Sequence, residues 1–199
     1  WGRFPIVVES LVRVNYSLGG GFPNTEFKIG KNGKVELLYW GGMRVTKDGI
    51  FRGMEINDEV INDRVEARMI DAGFFLGEKY ASLGYRGYFD IDFISAKNGE
   101  IYVTESNVRR TGGTHVYKAA LKLLGREFMD THYVLSDNSF ELPKKAKPKF
   151  TKLISKLSSV LFDKKSKEGV VVASANMLAS GKLTYMIFGK SKKRALEIE

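Results

Sequence analysis

Residues 87–110 have the sequence GYFDIDFISAKNGEIYVTESNVRR, and this stretch predicts a β-hairpin. Two runs rich in β-branched and aromatic residues flank Asn98-Gly99, a pair that favours a tight hairpin turn of type I′. A two-residue turn predicts three opposed pairs: Ile94 with Val103, Asp92 with Glu105, and Asp90 with Asn107. Because side chains alternate between the faces of a strand, these pairs share one face.

Carboxylates placed so close together need a cation. Asp92 and Glu105 would have Cβ atoms roughly 4.5–5.5 Å apart, and like charges directly opposite each other destabilise a sheet. Magnesium takes hard oxygen ligands, commonly one or two carboxylates together with substrate phosphates. We therefore expect Asp92, Glu105 and the amide oxygen of Asn107 to form a magnesium site.

An alternative is that Arg109 and Arg110 neutralise the acids in an ordinary ion-paired sheet surface, and pairing alone does not separate the two interpretations. The next segment favours the metal site. Gly112-Gly113 precedes a predicted helix at about 115–124, capped by Thr114, and backbone N–H groups at such a turn are suited to an anion. Metal ligands, two arginines and this turn together indicate a phosphate site.

The remaining patterns predict an α+β chain. Asn32-Gly33 and Asp48-Gly49 mark two more hairpin turns in the first third, and 60–83 carries apolar residues at helical spacing that end at Gly84. Beyond residue 142 we predict a basic linker with an amphipathic helix over 143–169 and a small ββα appendage over 170–199.

Composition limits the classes of function. The formal net charge is +9, but much of the excess lies between Lys144 and Lys167, where a solvated linker and helix are the first interpretation. The chain has no cysteine and only two histidines, which argues against disulfides and histidine-rich metal sites and fits a cytoplasmic location. No apolar run is long enough to cross a bilayer.

Asp92-Phe93 followed thirteen residues later by Glu105-Ser106-Asn107 resembles the ATP-grasp pattern of an Asp on one strand and Glu-x-Asn on the next. The resemblance implies that Asp92, Glu105 and Asn107 hold the magnesium ions that bridge the phosphates of ATP. It also implies that Arg109 contacts the transferring phosphoryl group or the acceptor site. Asp90 matches no general ligand of that family.

The resemblance extends to the start of the chain. Residues 6–11, IVVESL, are similar to the family's hinge strand, which makes Glu9 and Leu11 candidate adenine contacts. Asn15 stands near the place of the family's ribose-binding Glu. Arg110 and the Gly112-Gly113 turn are implied for the acceptor or carboxylate pocket. The family's other lobe, with its phosphate-binding lysines, would precede this hinge.

Residues 84–93 together with 105–115 are most similar to the pheganomycin-type peptide ligases, and the C-terminal strands and helix resemble that branch's small terminal domain. The expected architecture is the hinge and C-terminal lobe of an ATP-grasp fold over 1–142, followed by the appendage. The expected function is an ATP- and Mg²⁺-dependent ligase that joins amino acids or peptides through an acyl phosphate. A fragment that begins at the hinge is expected to be inactive alone.

Two other interpretations stay open. A basic nucleic-acid-binding module would account for the lysines but leaves the carboxylate face unexplained, since acids repel phosphates without a metal. A catalytically idle ATP-grasp lobe used for interaction is the second. The two lone basic residues Lys28 and Arg44, on preceding strands, are weaker candidates for the same cleft.

Overall fold

A computed structural model describes residue 6, residues 8–143 and residues 146–199. The predicted hinge strand over 6–11 therefore lies partly outside the described residues, because Val7 is not among them. Lys144 and Lys145 of the predicted linker lie wholly outside them. The chain builds one antiparallel sheet of eight strands with helices on both faces, as the α+β prediction requires.

The strands are short and connected mainly by hairpins. Their bounds are β1 Pro23–Ile29, β2 Val35–Val45, β3 Phe51–Ile56, β4 Gly87–Ser95, β5 Ile101–Asn107, β6 Tyr133–Glu141, β7 Gly169–Ser174 and β8 Lys182–Gly189. The spatial order is β5-β4-β1-β2-β3-β6-β8-β7, with every neighbouring pair antiparallel. The carboxylate hairpin, β4 and β5, therefore forms one edge of the sheet.

The three predicted hairpin turns share a geometry that differs from the type I′ prediction. Gly33, Gly49 and Gly99 have φ near +80°, but the residue before each keeps a negative φ, whereas type I′ needs both positive. The side-chain oxygens of Asn32 and Asn98 accept hydrogen bonds from the backbone two residues on. These bonds stabilise a longer turn that ends in a left-handed glycine.

Five helices pack on this sheet: α1 Asp63–Ser82, α2 Thr114–Leu124, α3 Phe128–Thr131, α4 Phe150–Leu157 and α5 Lys192–Ile198. Helix α1 begins three residues later than predicted because the Asn62 side chain caps it by accepting from Val65 N–H at 3.0 Å. At the C-terminal end of α1, the Gly84 N–H donates to the Ala81 carbonyl oxygen. The helix therefore ends close to Gly84, as the sequence predicted.

The two faces of the sheet have separate cores. Phe27, Phe89 and Ile91 pack against Met69 of α1 on one face. The alternate residues of the same strands point to the other face of the sheet. On that face, Tyr39 packs with residues of α2. Helix α2 thus covers part of the face that carries the carboxylates.

Strand β6 joins the C-terminal strands to the rest of the sheet, and the sequence patterns did not predict it. It pairs with β3 on one side and with β8 on the other, the latter over seven residue pairs. The predicted ββα elements are present as β7, β8 and α5, but they continue the sheet instead of standing apart from it. The division after residue 142 stays a prediction.

No helix in the described part of the chain is long and apolar enough to span a membrane.

Candidate metal and phosphate site

The carboxylate hairpin has the predicted residue pairs at Asp92 and Asp90, but the pairs nearer the turn differ from the prediction. Asp92 is paired with Glu105 and Asp90 with Asn107. Nearer the turn, Ile94 pairs with Tyr102, so the prediction that it faces Val103 is wrong. The turn contains one residue more than a two-residue loop, and a β-bulge at Thr104 restores the register.

Asn24 of β1 holds the two aspartates from the neighbouring strand. It is paired with Asp92 in the sheet, and its amide nitrogen donates to Asp92 Oδ1 at 2.6 Å and to Asp90 Oδ2 at 3.3 Å. Asn24 and Asp90 are 2% and 4% exposed. The sequence alone does not reveal Asn24 as a neighbour of the aspartates, because only the pairing of β1 with β4 brings it here.

The electrostatics of the cluster are unfavourable without a cation. Burial, the neighbouring charge of Asp90 and that of Glu105 raise the pKa of Asp92 to about 6, against the lowering effects of Asn24 and Arg109. Burial likewise raises the pKa of Asp90. Asp90 Oδ1 is buried and finds no hydrogen-bond partner among the described residues. A cation at this face would offset these costs.

Asn107 and Arg109 are coupled directly. The Asn107 amide nitrogen lies 3.4 Å from Asp92 Oδ2, and its oxygen accepts from an Arg109 guanidinium nitrogen at 2.6 Å. Arg109 therefore uses one lone pair of the Asn107 amide oxygen, and the second lone pair is the one that a metal ion would use.

One cleft brings together six of the predicted site residues. Those six are Asp92, Glu105, Asn107, Arg109, Gly112 and Gly113. The cleft is also lined by Asn24, Asp90 and Thr111. Arg110 is not part of this cleft: its guanidinium carbon lies 5.0 Å from the centre of the Tyr88 ring. Arg44 is also elsewhere, because it pairs with Glu199 at 2.7 Å.

The two glycines before α2 have a packing reason in addition to any role with an anion. A Cβ on Gly113 would lie 1.8 Å from the Tyr39 hydroxyl oxygen, and one on Gly112 would lie 2.6 Å from the Phe51 ring. Thr114 is not the cap that the sequence predicted. It is the first helical residue, and its hydroxyl oxygen accepts from Thr111 N–H at 2.9 Å.

Glu26 is a buried carboxylate that sequence reasoning missed. It is 0% exposed, lies opposite Asp90 in the sheet, and accepts from the hydroxyls of Thr114 at 2.5 Å and Tyr39 at 3.0 Å. Burial raises its pKa despite these bonds. Since Glu26 sits at the N-terminal end of α2, the positive end of the helix is partly used by a side chain of the protein itself.

The residues implied for the nucleotide base lie on a different surface. Glu9 and Leu11 line a groove formed by residues 9–14 and the turn end of the β4–β5 hairpin. Leu11 is 95% exposed. Asn15 is anchored by its backbone N–H to Ser95 O at 2.7 Å, and its side chain accepts from Ser17 N–H. Adenine contact by Glu9 and Leu11 and ribose contact by Asn15 stay predictions.

The protein supplies oxygen ligands of the kind that magnesium binds, but fewer than the six that the ion prefers. Within residues 6, 8–143 and 146–199, no three histidine, cysteine, aspartate or glutamate side chains are grouped so as to hold a metal ion. The available ligands are two carboxylates and one amide, from Asp92, Glu105 and Asn107. Magnesium prefers six oxygen ligands and keeps several waters, so phosphate oxygens and water would complete the shell.

Comparison with known proteins gives one curated relative and a set of similar structures. The L-propargylglycine–L-glutamate ligase of Streptantibioticus cattleyicolor is 29% identical over 93 residues, which cover 41% of this chain and 19% of that enzyme. No family model matches the chain.

The similar solved structures agree on the fold. A biotin carboxylase from Campylobacter jejuni, solved with β,γ-ATP, superposes with a TM-score of 0.58 at 11% identity, over 88% of this chain and 43% of that one. The phosphoribosylaminoimidazole carboxylase ATPase subunit of Aquifex aeolicus gives 0.58 at 12% identity, over 96% and 55%. The N5-carboxyaminoimidazole synthetase of Staphylococcus aureus, solved with ADP, gives 0.56 at 10% identity, over 95% and 49%. The chain thus spans about half the length of these structures.

Proposed function

We propose that this chain, which has the fold of the C-terminal portion of the ATP-grasp enzymes, supplies the magnesium-binding wall of an ATP-dependent carboxylate–amine ligase. The observation that carries the proposal is the face on which Asn24, Asp90, Asp92, Glu105 and Asn107 meet beside Arg109. It concentrates acids that need a cation next to a cationic side chain that suits phosphate.

The chemistry proposed is amide formation through an acyl phosphate. Magnesium, when bound, would neutralise the phosphate oxygens of ATP and align them for transfer. Asp92, Glu105 and Asn107 would hold the metal, and Asn24 would orient Asp92 through its 2.6 Å hydrogen bond. Such an outer hydrogen bond fixes the direction of a ligating carboxylate.

Arg109 is proposed to stabilise the negative charge that develops during transfer. Its guanidinium is exposed and lines the cleft, and in the structure it is held by Asn107. The guanidinium has five N–H donors, so those not bonded to Asn107 would serve a phosphate or the oxyanion of the tetrahedral intermediate. A planar, permanently charged donor suits that role.

The substrate class is proposed to be amino acids or short peptides. The sequence resemblance to pheganomycin-type peptide ligases and the curated relative, a ligase named for two amino acids, both support this class. Glu9, Leu11 and Asn15 are kept as candidate nucleotide contacts and Gly112-Gly113 as candidate anion contacts. The cytoplasmic location stays a prediction.

The test is ADP release by the protein that carries this chain, assayed against pooled amino acids and peptides with ATP and Mg²⁺. We expect Asp92→Asn or Glu105→Gln to lower the rate by at least about 100-fold, because loss of a supporting residue around a metal already costs 10–100-fold. Glu100→Gln is the matched control. This glutamate lies in the same hairpin but pairs on the surface with Arg68.

Full turnover by both site variants would contradict the metal assignment. A protein that binds Mg·ATP but releases no ADP with any pool would instead support an idle lobe.

A further inference from the structure

A second charged cluster lies on the same sheet face, at the opposite end from Asp92. Lys28 of β1, Arg110 after β5 and Lys118 of α2 all surround the ring of Tyr88 in β4. Their charged atoms lie 6.0, 5.0 and 4.8 Å from its centre. Three cations from three separate parts of the chain thus converge on one side chain.

The position of the cluster follows from the register of the sheet. Lys28 pairs with Tyr88, Glu26 with Asp90 and Asn24 with Asp92, so these three steps lie in line on one face. Tyr88 and Asp92 are four residues apart, a distance of roughly 13 Å at the usual strand rise. Glu26 and Asp90, which lie between the two clusters, are 0% and 4% exposed, so a ligand that contacts both clusters has to pass over this buried step.

The three cations lack acidic partners in the part of the chain that the structure describes. No carboxylate forms an ion pair with Lys28, Arg110 or Lys118. Glu36 is the sheet neighbour of Lys28 on β2, but it is exposed and makes no such pair. Glu26 is nearby and is already bonded to Thr114 and Tyr39.

Such an arrangement costs free energy in the free protein. Like charges held close to one another repel, and Lys28 is half-buried, so solvent screens it only in part. The ring of Tyr88 offsets part of this cost through its negative face. The pKa of the Tyr88 phenol is lowered, chiefly by a hydrogen bond from Lys118 and also by the charges of Lys118, Lys28 and Arg110.

We propose that Lys28, Arg110 and Lys118 form an anion subsite that binds a carboxylate group of the substrate. The identity of the ligand as a substrate rests on the proposed ligase function; the affinity for an anion does not. The subsite selects amino acids or peptides with a free carboxylate. Arg110 therefore acts in substrate binding, away from the cleft that holds Arg109.

The test is direct binding of small anions to the chain, followed by NMR chemical-shift changes. Glutarate is the carboxylate probe, glutaramide its neutral counterpart, and inorganic phosphate the competing oxyanion. We expect glutarate to bind, glutaramide not to bind, and Lys118→Met to weaken glutarate by about fivefold or more, as loss of a charged hydrogen-bond donor does. Lys122→Met, one turn further along α2, is the matched control and should leave the affinity unchanged.

Glutarate binding that is equal in wild type and Lys118→Met, or equally weakened by Lys122→Met, would overturn the proposal. Tighter binding of phosphate than of glutarate would also overturn it, since the site would then serve a phosphate and not a carboxylate. Glu105→Gln should abolish ADP release but leave glutarate binding intact. Failure of the proposed ligase function and failure of the proposed anion subsite can therefore be told apart.

Discussion

At the scale of single residues, Asp92 is the side chain on which the proposed site depends. Its sheet partner is Glu105, its neighbour on the same face is Asp90, and its hydrogen-bond donor is Asn24. The first two raise its pKa and the third lowers it, with burial the largest cause of the rise to about 6. The protein keeps an acid where it is costly for stability, as functional sites commonly do.

This cost predicts how stability depends on pH. The pKa of Asp92 in the folded chain is above the ordinary value of 3.8, so the folded state binds more protons than the unfolded state between about pH 4 and 6. In EDTA, the melting temperature of the wild type relative to that of Asp92→Asn should therefore rise as the pH falls from 8 to 5. Thermal unfolding followed by circular dichroism measures this dependence.

The control for that experiment is Asp92→Asn, which removes the titrating group. Its melting temperature at pH 8 should exceed that of the wild type, and it should rise less on acidification. A variant that is less stable than the wild type at pH 8 would show that the carboxylate is not under strain.

Some of the site residues were predictable and others were not, for a physical reason. Asp92, Glu105 and Asn107 were predictable because hairpin pairing relates residues that are close in sequence. Asn24 and Glu26 reach the site only through the pairing of β1 with β4, which are separated by 57 residues of chain. The type I′ turn and the cap at Thr114 were wrong because side-chain hydrogen bonds decided the local geometry.

At the scale of elements, helix α1 is fixed against the sheet by close contacts at two glycines. Gly73 and Gly77 are buried on the face that meets β1, β2 and β4. A Cβ on Gly73 would lie 2.0 Å from the ring of Phe27, which is itself 0% exposed. The hydrophobic face of the predicted helix was readable from its spacing, but these approach points were not.

This contact reverses the usual effect of a substitution. In an exposed helix, Gly→Ala stabilises by up to about 1 kcal/mol. For Gly73→Ala we expect destabilisation by about 1–3 kcal/mol, because the core must shift to admit the methyl group. Urea unfolding measures the change. Asp71→Ala, at an exposed position of the same helix, should be close to neutral, and a stabilised Gly73→Ala chain would contradict the packing described here.

The β6 strand shows why element prediction fell short in the C-terminal third. Its residues Tyr133, Val134 and Leu135 are buried, yet Ser136 and Asp137 are buried too and break the apolar pattern. Asp137 is satisfied by Arg52 at 2.6 Å and Ser136 by the backbone of Met54. Long-range partners therefore make a strand of a segment whose sequence alternates poorly.

At the scale of the whole molecule, one sheet face is divided by charge. The end near Asp92 carries the acids, the end near Tyr88 carries the three cations, and the buried Glu26 lies between them. The opposite face is apolar and packed on α1. The net charge of +9 predicted neither pole, because clusters on a folded surface depend on strand register and not on composition.

Asp92, Glu105 and Asn107 are proposed to bind a divalent cation together with nucleotide phosphates. The most direct measurement is a titration of the chain with Mn²⁺ in the presence of ADP, followed by electron paramagnetic resonance, with Mn²⁺ in place of Mg²⁺. We predict that the Asp92→Asn/Glu105→Gln chain binds the Mn²⁺–ADP pair at least about tenfold more weakly than the wild type, whereas Glu100→Gln binds it equally well. Equal affinity in the double variant and the wild type would contradict the account.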